Sequence, residues 1–174
     1  VDGIVVGINT VLRDDPLLTC RLEGGRNPRR IIIDSNAVLP LCSRILNTIH
    51  ESEIIVAVNK NAQQGRIEKL EQLGCTIIQT RDKSDRVDLK DLFRKLGKMK
   101  LTNILVEGGS RVITSIIEER LADKVIVFIA PIIIGGEEAQ SPILGKGVDT
   151  VDKAMKINEI TVKSFSHDIA IEGI

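Results

Sequence analysis

Apolar residues fall along this chain in short runs, and the runs are of two kinds. Residues 3–7, 30–34, 53–58, 76–79, 103–107 and 124–130 are β-branched, nearly unbroken in apolar character and bounded by turn residues. That pattern predicts buried strands. Between them lie segments with helical spacing. Residues 9–13 form a short one. Residues 64–73 place Ile67, Leu70 and Leu73 on one face and stop at Gly74, a good helix terminator. Residues 88–96 do the same with Leu89, Leu92, Phe93 and Leu96, closed by Gly97, and residues 110–121 with Val112, Ile113, Ile116, Ile117 and Leu121. Strand–helix alternation of this sort predicts a parallel α/β sheet. The end of the chain reads differently. Residues 157–165 alternate imperfectly, Ser166-His167-Asp168 makes a tight turn, and residues 168–172 follow as a strand. An antiparallel hairpin on the sheet edge is expected there. The fold class is therefore α/β, a mixed, mostly parallel sheet flanked by helices. Residues 81–88 read as a solvated charged loop.

Composition removes several functions. The chain has 174 residues, 43% hydrophobic and 28% charged, enough for one domain with a true core. With three Phe and no Trp or Tyr, that core must be aliphatic. Basic and acidic residues balance at 24 each, which argues against a nucleic-acid surface but leaves room for a local phosphate pocket. Cys20, Cys42 and Cys75 lie far apart without a CxxC pair. No metal site is expected, and a reducing cytoplasm is the expected location. No apolar run approaches the roughly 20 residues of a membrane span. His50 and His167 fall in loop or turn positions, so nucleophilic and metal mechanisms have no obvious cast.

Three segments could carry chemistry. In Ile104-Leu105-Val106-Glu107-Gly108-Gly109-Ser110 a strand runs into two glycines and opens a helix. Glycines let a ligand approach the backbone, and the helix start offers free N–H groups. The pair is either a dinucleotide-phosphate cradle or a purely structural turn, and it is not the G-x-G-x-x-G fingerprint. Glu107 is then a ligand acceptor at a strand's carboxyl end or a solvated acid. The segment from Gly7 to Arg21 repeats the strand–glycine–helix order, with Asp14-Asp15-Pro16 breaking the helix and Pro16 biasing Asp15 to extended geometry. A second Gly-Gly pair, Gly135-Gly136, follows Pro131. The residues support a nucleotide-binding α/β domain and do not choose a reaction.

Taken together the segments resemble a known family. The block from Val1 to Pro16 is similar to the (A/V)-D-(G/A)-I-x-V-G-x-x-T-V-x-x-D-(D/N)-P block of the riboflavin-biosynthesis pyrimidine reductases. Pro28 to Ser35 resembles their P-x-R-x-x-x-D-S strand, Leu105 to Gly109 their L-(V/L)-E-G-G block, and Ile129 to Gly136 their (I/A)-P-x-x-x-G-G block. The resemblance implies a dihydrofolate-reductase-like fold, commonly a homodimer, using NADPH to reduce the ribose of 5-amino-6-(5-phosphoribosylamino)uracil. The alternatives are the same reduction on 2,5-diamino-6-ribosylamino-4(3H)-pyrimidinone 5′-phosphate, or a non-catalytic nucleotide-binding module. Carried over by motif, Thr10, Asp14, Ser35, Gly109, Ser110, Arg111, Val112, Ile113, Thr114 and Ser115 are expected to touch the cofactor. Leu18, Arg21 and Glu107 are expected to touch substrate, with Arg21 on its phosphate. The catalytic proton donor is left unassigned. The family begins with a further strand, x-S-x-D-G-(K/R), and a helix, and it also occurs fused behind a deaminase. The chain is expected to be one reductase domain, 1–174, lacking that N-terminal piece.

Overall fold

The β-branched runs form strands close to where their spacing places them. The computed structural model describes every residue except 84, 137, 138 and 140, and of 82 and 83 the backbone only. In chain order the elements are β1 (Gly3–Gly7), α1 (Ile8–Asp14), β2 (Arg29–Ile33), α2 (Arg44–Asn47), β3 (Ile54–Val58), α3 (Gln64–Gln72), β4 (Thr76–Gln79), β5 (Asp82–Lys83), β6 (Arg86–Val87), α4 (Leu89–Lys98), β7 (Ile104–Val106), α5 (Ser110–Glu118), β8 (Val125–Ile129), a 3-10 turn (Val151–Lys153), β9 (Thr161–Phe165) and β10 (Asp168–Gly173). They group into two compact units, Val1–Ile113 and Thr114–Ile174.

The first unit holds a parallel sheet of five strands in the order β4-β3-β2-β1-β7. Val6, Ile32 and Val56 share a core with Ile45 and Leu46 of α2 and Ile67 and Leu70 of α3. Each such side chain contributes roughly 1.5–3 kcal/mol on burial. Their neighbours Val5, Ile31 and Ile55 are also fully buried, which explains the unbroken apolar runs of a sheet covered on both faces. α3 ends as its glycine requires: Gly74 takes φ 95° and the Cys75 N–H reaches back to the Leu70 carbonyl. The other two helix ends differ from expectation. α4 runs through Gly97 to Lys98, and Lys100 (φ 63°) takes the left-handed position, because this aims Leu101 into the interior with its N–H on Leu96 O. α5 stops at Glu118, where Arg120 (φ 54°) plays the same part. The expected loop at 81–88 contains a short antiparallel ladder, β5 with β6, although residue 84 lies outside the described residues. α2 carries too few residues to show a period and was not foreseen.

The second unit carries β8, β10 and β9, in that order, as an antiparallel sheet. The expected hairpin is present as β9–β10, but it pairs with β8 in this separate sheet rather than on the edge of the parallel one. Residues 157–160 lie outside β9. Glu172 on the middle strand receives Lys124 at 2.9 Å and Lys163 at 3.0 Å, and these hydrogen bonds hold its carboxyl below the usual range. β8 was expected to be buried. Instead Ile126, Val127, Phe128 and Ile129 are all exposed, Phe128 to 67%.

One side chain organises the first unit. Arg30, in the otherwise apolar stretch of β2 that follows Arg29, is fully buried. Its Nη1 donates to Leu17 O (3.4 Å), Ile45 O (3.3 Å) and Thr48 Oγ1 (2.6 Å), and its Nη2 to Thr48 O (2.8 Å) and Ser52 O (2.5 Å). Desolvation pushes its pKa down, opposed by nearby Glu51 and Cys75. The charge is solvated by carbonyl dipoles in place of water. Arg30→Met would leave Leu17 O and Ser52 O without that donor, and is expected to cost about 3 kcal/mol or more in urea unfolding, with Arg30→Lys intermediate. Burial also pushes the Cys75 thiol up to about 11. A chromogenic disulfide is expected to titrate exposed Cys42 in the native protein and Cys75 only after unfolding. The unfolded thiol ionises from about pH 9 and the folded one does not, so wild-type stability should fall between about pH 9 and 11 more steeply than that of Cys75→Ala.

Candidate functional site

Strand order locates the site. From β1 the chain steps outward through β2, β3 and β4, then returns to place β7 on the other side of β1. Ligands of open α/β sheets bind beyond the carboxyl ends of strands where the order reverses in this way. Those ends are Gly7, leading into α1, and Glu107, whose N–H continues the ladder to Val5 O at 3.0 Å. Gly108 (φ 71°) and Gly109 (φ 79°) then turn the chain into α5. A Cβ on Gly109 would lie 3.2 Å from Thr10 Oγ1, and one on Gly7 would lie 2.8 Å from Val112 Cγ2. The two strand ends thus close on each other through Thr10 and the first turn of α5, and a side chain at Gly7 or Gly109 would crowd that contact. Glycine backbone stands at the start of a nine-residue helix, an arrangement able to receive an anionic group.

A cleft of about 660 Å³ opens beside this turn. Its apolar lining includes Ile4 and Val6 of β1 and Leu105 of β7, with Pro16, Leu17 and Leu18 in the loop after α1. Its polar groups include Thr10, Asp14, Arg21, Arg26 and Glu107. Acids and cations together suit a ligand with N–H donors at one place and an anion at another.

The structure brings Thr10, Asp14, Leu18, Arg21 and Glu107 into this one cleft, together with Gly108. Ser35 lies elsewhere, at the carboxyl end of β2, where its Oγ accepts from the Val87 N–H at 3.2 Å. Gly109 and Ser110 to Ile113 make the turn and the start of α5. Thr114 and Ser115 fall in the second unit; Thr114 is buried and its hydroxyl accepts from the Leu144 N–H at 2.7 Å, so it has a structural role of its own. Gly135 (φ 67°) and Gly136 (φ 95°) need glycine for their backbone alone, since a Cβ at either would meet open space. Asp15 departs from expectation. It takes the left-handed conformation (φ 40°, ψ 55°) as the cap of α1, held by its N–H on Val11 O and by its carboxylate accepting from the Arg44 N–H at 2.9 Å. These bonds outweigh the bias imposed by Pro16. Sequence reasoning missed Arg26. Its only signal was the Gly24-Gly25 pair, which marks a turn between two arginines. Among the described residues no group of three His, Cys, Asp or Glu is placed to hold a metal, and no helix is long and apolar enough to cross a membrane.

Fold and cleft together define a dihydrofolate-reductase-like α/β domain with a glycine turn beside its cleft. The match to solved structures agrees: RibD of Acinetobacter baumannii superposes with a TM-score of 0.81 at 23% identity, covering 99% of this chain and 46% of that one. The yeast riboflavin biosynthesis reductase Rib7 gives 0.74 at 22%, covering 99% and 74%. The RibD C-terminal domain family matches residues 1–171, and the chain belongs to it. RibD of Actinobacillus pleuropneumoniae is 34% identical over 172 residues, 99% of this chain and 46% of that protein, so the chain spans about half of that relative. The 2,5-diamino-6-ribosylamino-4(3H)-pyrimidinone 5′-phosphate reductase of Methanothermobacter thermautotrophicus is 35% identical over 174 residues, 98% of this chain and 78% of that protein.

The glycine turn yields a paired prediction. Gly109→Ala forces a side chain into a left-handed backbone against Thr10, and should cost about 1–2 kcal/mol in thermal unfolding. Gly65→Ala, in α3 with open space around its Cβ, should stabilise by about 0.5–1 kcal/mol.

Proposed function

We propose that the domain is an NADPH-dependent reductase of riboflavin biosynthesis, acting on the ribose of 5-amino-6-(5-phosphoribosylamino)uracil. The observation that carries this reading is the cleft in which Thr10, Asp14, Leu18 and Arg21 of the segment from Gly7 to Arg21 meet Glu107, from a distant segment of the chain, beside the Gly108–Gly109 turn. When bound, the nicotinamide supplies the hydride that reduces the opened sugar. The chain's own residues bind and orient. Gly109, Ser110 and the following residues of α5, with Thr10, Asp14 and Ser35, hold the cofactor. Glu107 accepts from N–H groups of the pyrimidine. Arg21 takes the phosphate, to which its guanidinium can donate two parallel hydrogen bonds. Leu18, Ile4, Val6 and Leu105 form an apolar wall that keeps water from the reacting sugar and holds it in place.

The name of the Methanothermobacter relative favours a second reading, in which the same reduction acts on the diamino-pyrimidinone. A homodimer belongs to the proposal as well. Its support is the run of four consecutive exposed apolar residues on β8, Ile126 to Ile129. Fusion to an upstream deaminase is proposed from the Thermotoga maritima deaminase/reductase, of which this chain covers 44% at 27% identity.

The test is to mix full-length protein with NADPH and the amino-uracil phosphate and follow nicotinamide absorbance. Substrate-dependent oxidation is expected, and the same assay with the diamino-pyrimidinone assigns the substrate. Tight NADPH binding without oxidation of either would overturn the reductase in favour of a non-catalytic module. Arg21→Ala should raise KM for the phosphorylated substrate about tenfold or more and leave that for NADPH unchanged; equal effects on both would sink the phosphate assignment.

A further inference from the structure

The cleft has a direction. Thr10, Glu107 and Gly108 stand at the carboxyl ends of β1 and β7, whereas Pro28 and Arg26 stand at the amino end of β2, beside β1. Ile4 and Val6 of β1 span the distance between, and a strand of five residues covers roughly 16 Å. A ligand laid along β1 therefore meets acids at one end and arginines at the other.

The arginine end is built. Residues 21 and 26 flank a turn closed by the Gly25 N–H on Leu22 O (3.0 Å) and by the Cys20 N–H on the Asn27 side chain (2.7 Å). The turn packs so closely that a Cβ on Gly25 would lie 2.3 Å from Cys20 Sγ. Below it, Arg30 donates to Leu17 O and the Arg44 N–H to Asp15, which fix the loop leading in. Both arginines line the cleft. Arg26 is 80% exposed and faces Asp2 at 3.5 Å, a long and solvated ion pair of little worth. Asp2 does not depend on it: Oδ2 accepts from the Thr102 N–H, the Thr102 hydroxyl and the Asn103 N–H, each at 3.0 Å. Arg26 can thus leave Asp2 without stranding a buried charge.

We propose that Arg26 is the second arm of a phosphate clamp with Arg21, exchanging Asp2 for the phosphate-monoester end of the substrate. The proposal rests on the reductase reading for the identity of the substrate. It makes Arg26 a determinant of preference for phosphorylated over unphosphorylated sugar, because a dianion engages two guanidinium groups where a hydroxyl engages neither.

The test is calorimetric titration of full-length protein with ribose 5-phosphate, with ribose as the phosphate-free control, for wild type, Arg26→Ala, Arg26→Lys and Arg21→Ala. Arg26→Ala is expected to weaken ribose 5-phosphate about tenfold and flatten its salt dependence, with Arg26→Lys between, thermal stability unchanged and ribose unaffected. Undiminished binding by Arg26→Ala, with loss in Arg21→Ala, overturns the clamp and keeps the phosphate end at Arg21. Absence of ribose 5-phosphate binding in the wild type overturns both. The nicotinamide assay separates the readings. No turnover of either pyrimidine phosphate, with Arg26-dependent ribose 5-phosphate binding intact, removes the reductase and leaves the clamp. Turnover with the substrate KM unchanged in Arg26→Ala removes the clamp and leaves the reductase.

Discussion

A full positive charge in the aliphatic interior holds the first unit in register. Burying Arg30 is tolerable only if its donors find oriented oxygens, and the backbone supplies them from the loop after α1, from α2, and from the turn entering β3. None of these segments has a regular ladder of its own across those contacts. The guanidinium does for them what strand pairing does for the sheet: it fixes where carbonyl groups point. Its Nε is left without an acceptor among the described residues. The cost of that atom is part of the arrangement, and the remaining donors outweigh it.

The same interaction links core to cleft. Leu17 O takes one of the bonds from Arg30, and Leu17 lines the cleft with its neighbours Pro16 and Leu18. The loop that would hold substrate is therefore positioned from beneath, by a residue no ligand touches. Sheet topology supplies the other half. Reversal of strand order between β1 and β7 leaves room beyond their carboxyl ends, and the glycines at 7 and 109 let the two chain turns approach closely enough for Thr10 to bridge them.

Much of this was legible in the sequence, for identifiable reasons. β1 to β3 are short runs buried on both faces, so periodicity and composition agree, and the boundaries of β1 to β4 shift by a residue at most. The cleft residues were legible as a set only because several motifs in order resemble a family; spacing alone could not show that Leu18 and Arg21 would meet Glu107, far from them in the chain. Other features were hidden because local rules lost to tertiary ones. Gly97 looked like a helix stop, but burying Leu101 carried the helix to Lys98. Asp15 precedes proline, yet capping α1 and receiving the Arg44 N–H set its backbone. β8 has the composition of a buried strand and is exposed, since composition reports what a strand can pack against, not what covers it.

Val6 has two neighbourhoods. It belongs to the central cluster with Ile32 and Val56, and it also forms part of the cleft wall. A methyl group gained or lost there changes the fit of the interior and the shape presented to a ligand at once. At this position a lineage cannot tune thermal tolerance and substrate preference as separate traits. Adaptation to a hotter habitat through this side chain would carry a change in recognition with it, and Leu18, which lines the cleft and packs against the same cluster, is bound by the same constraint.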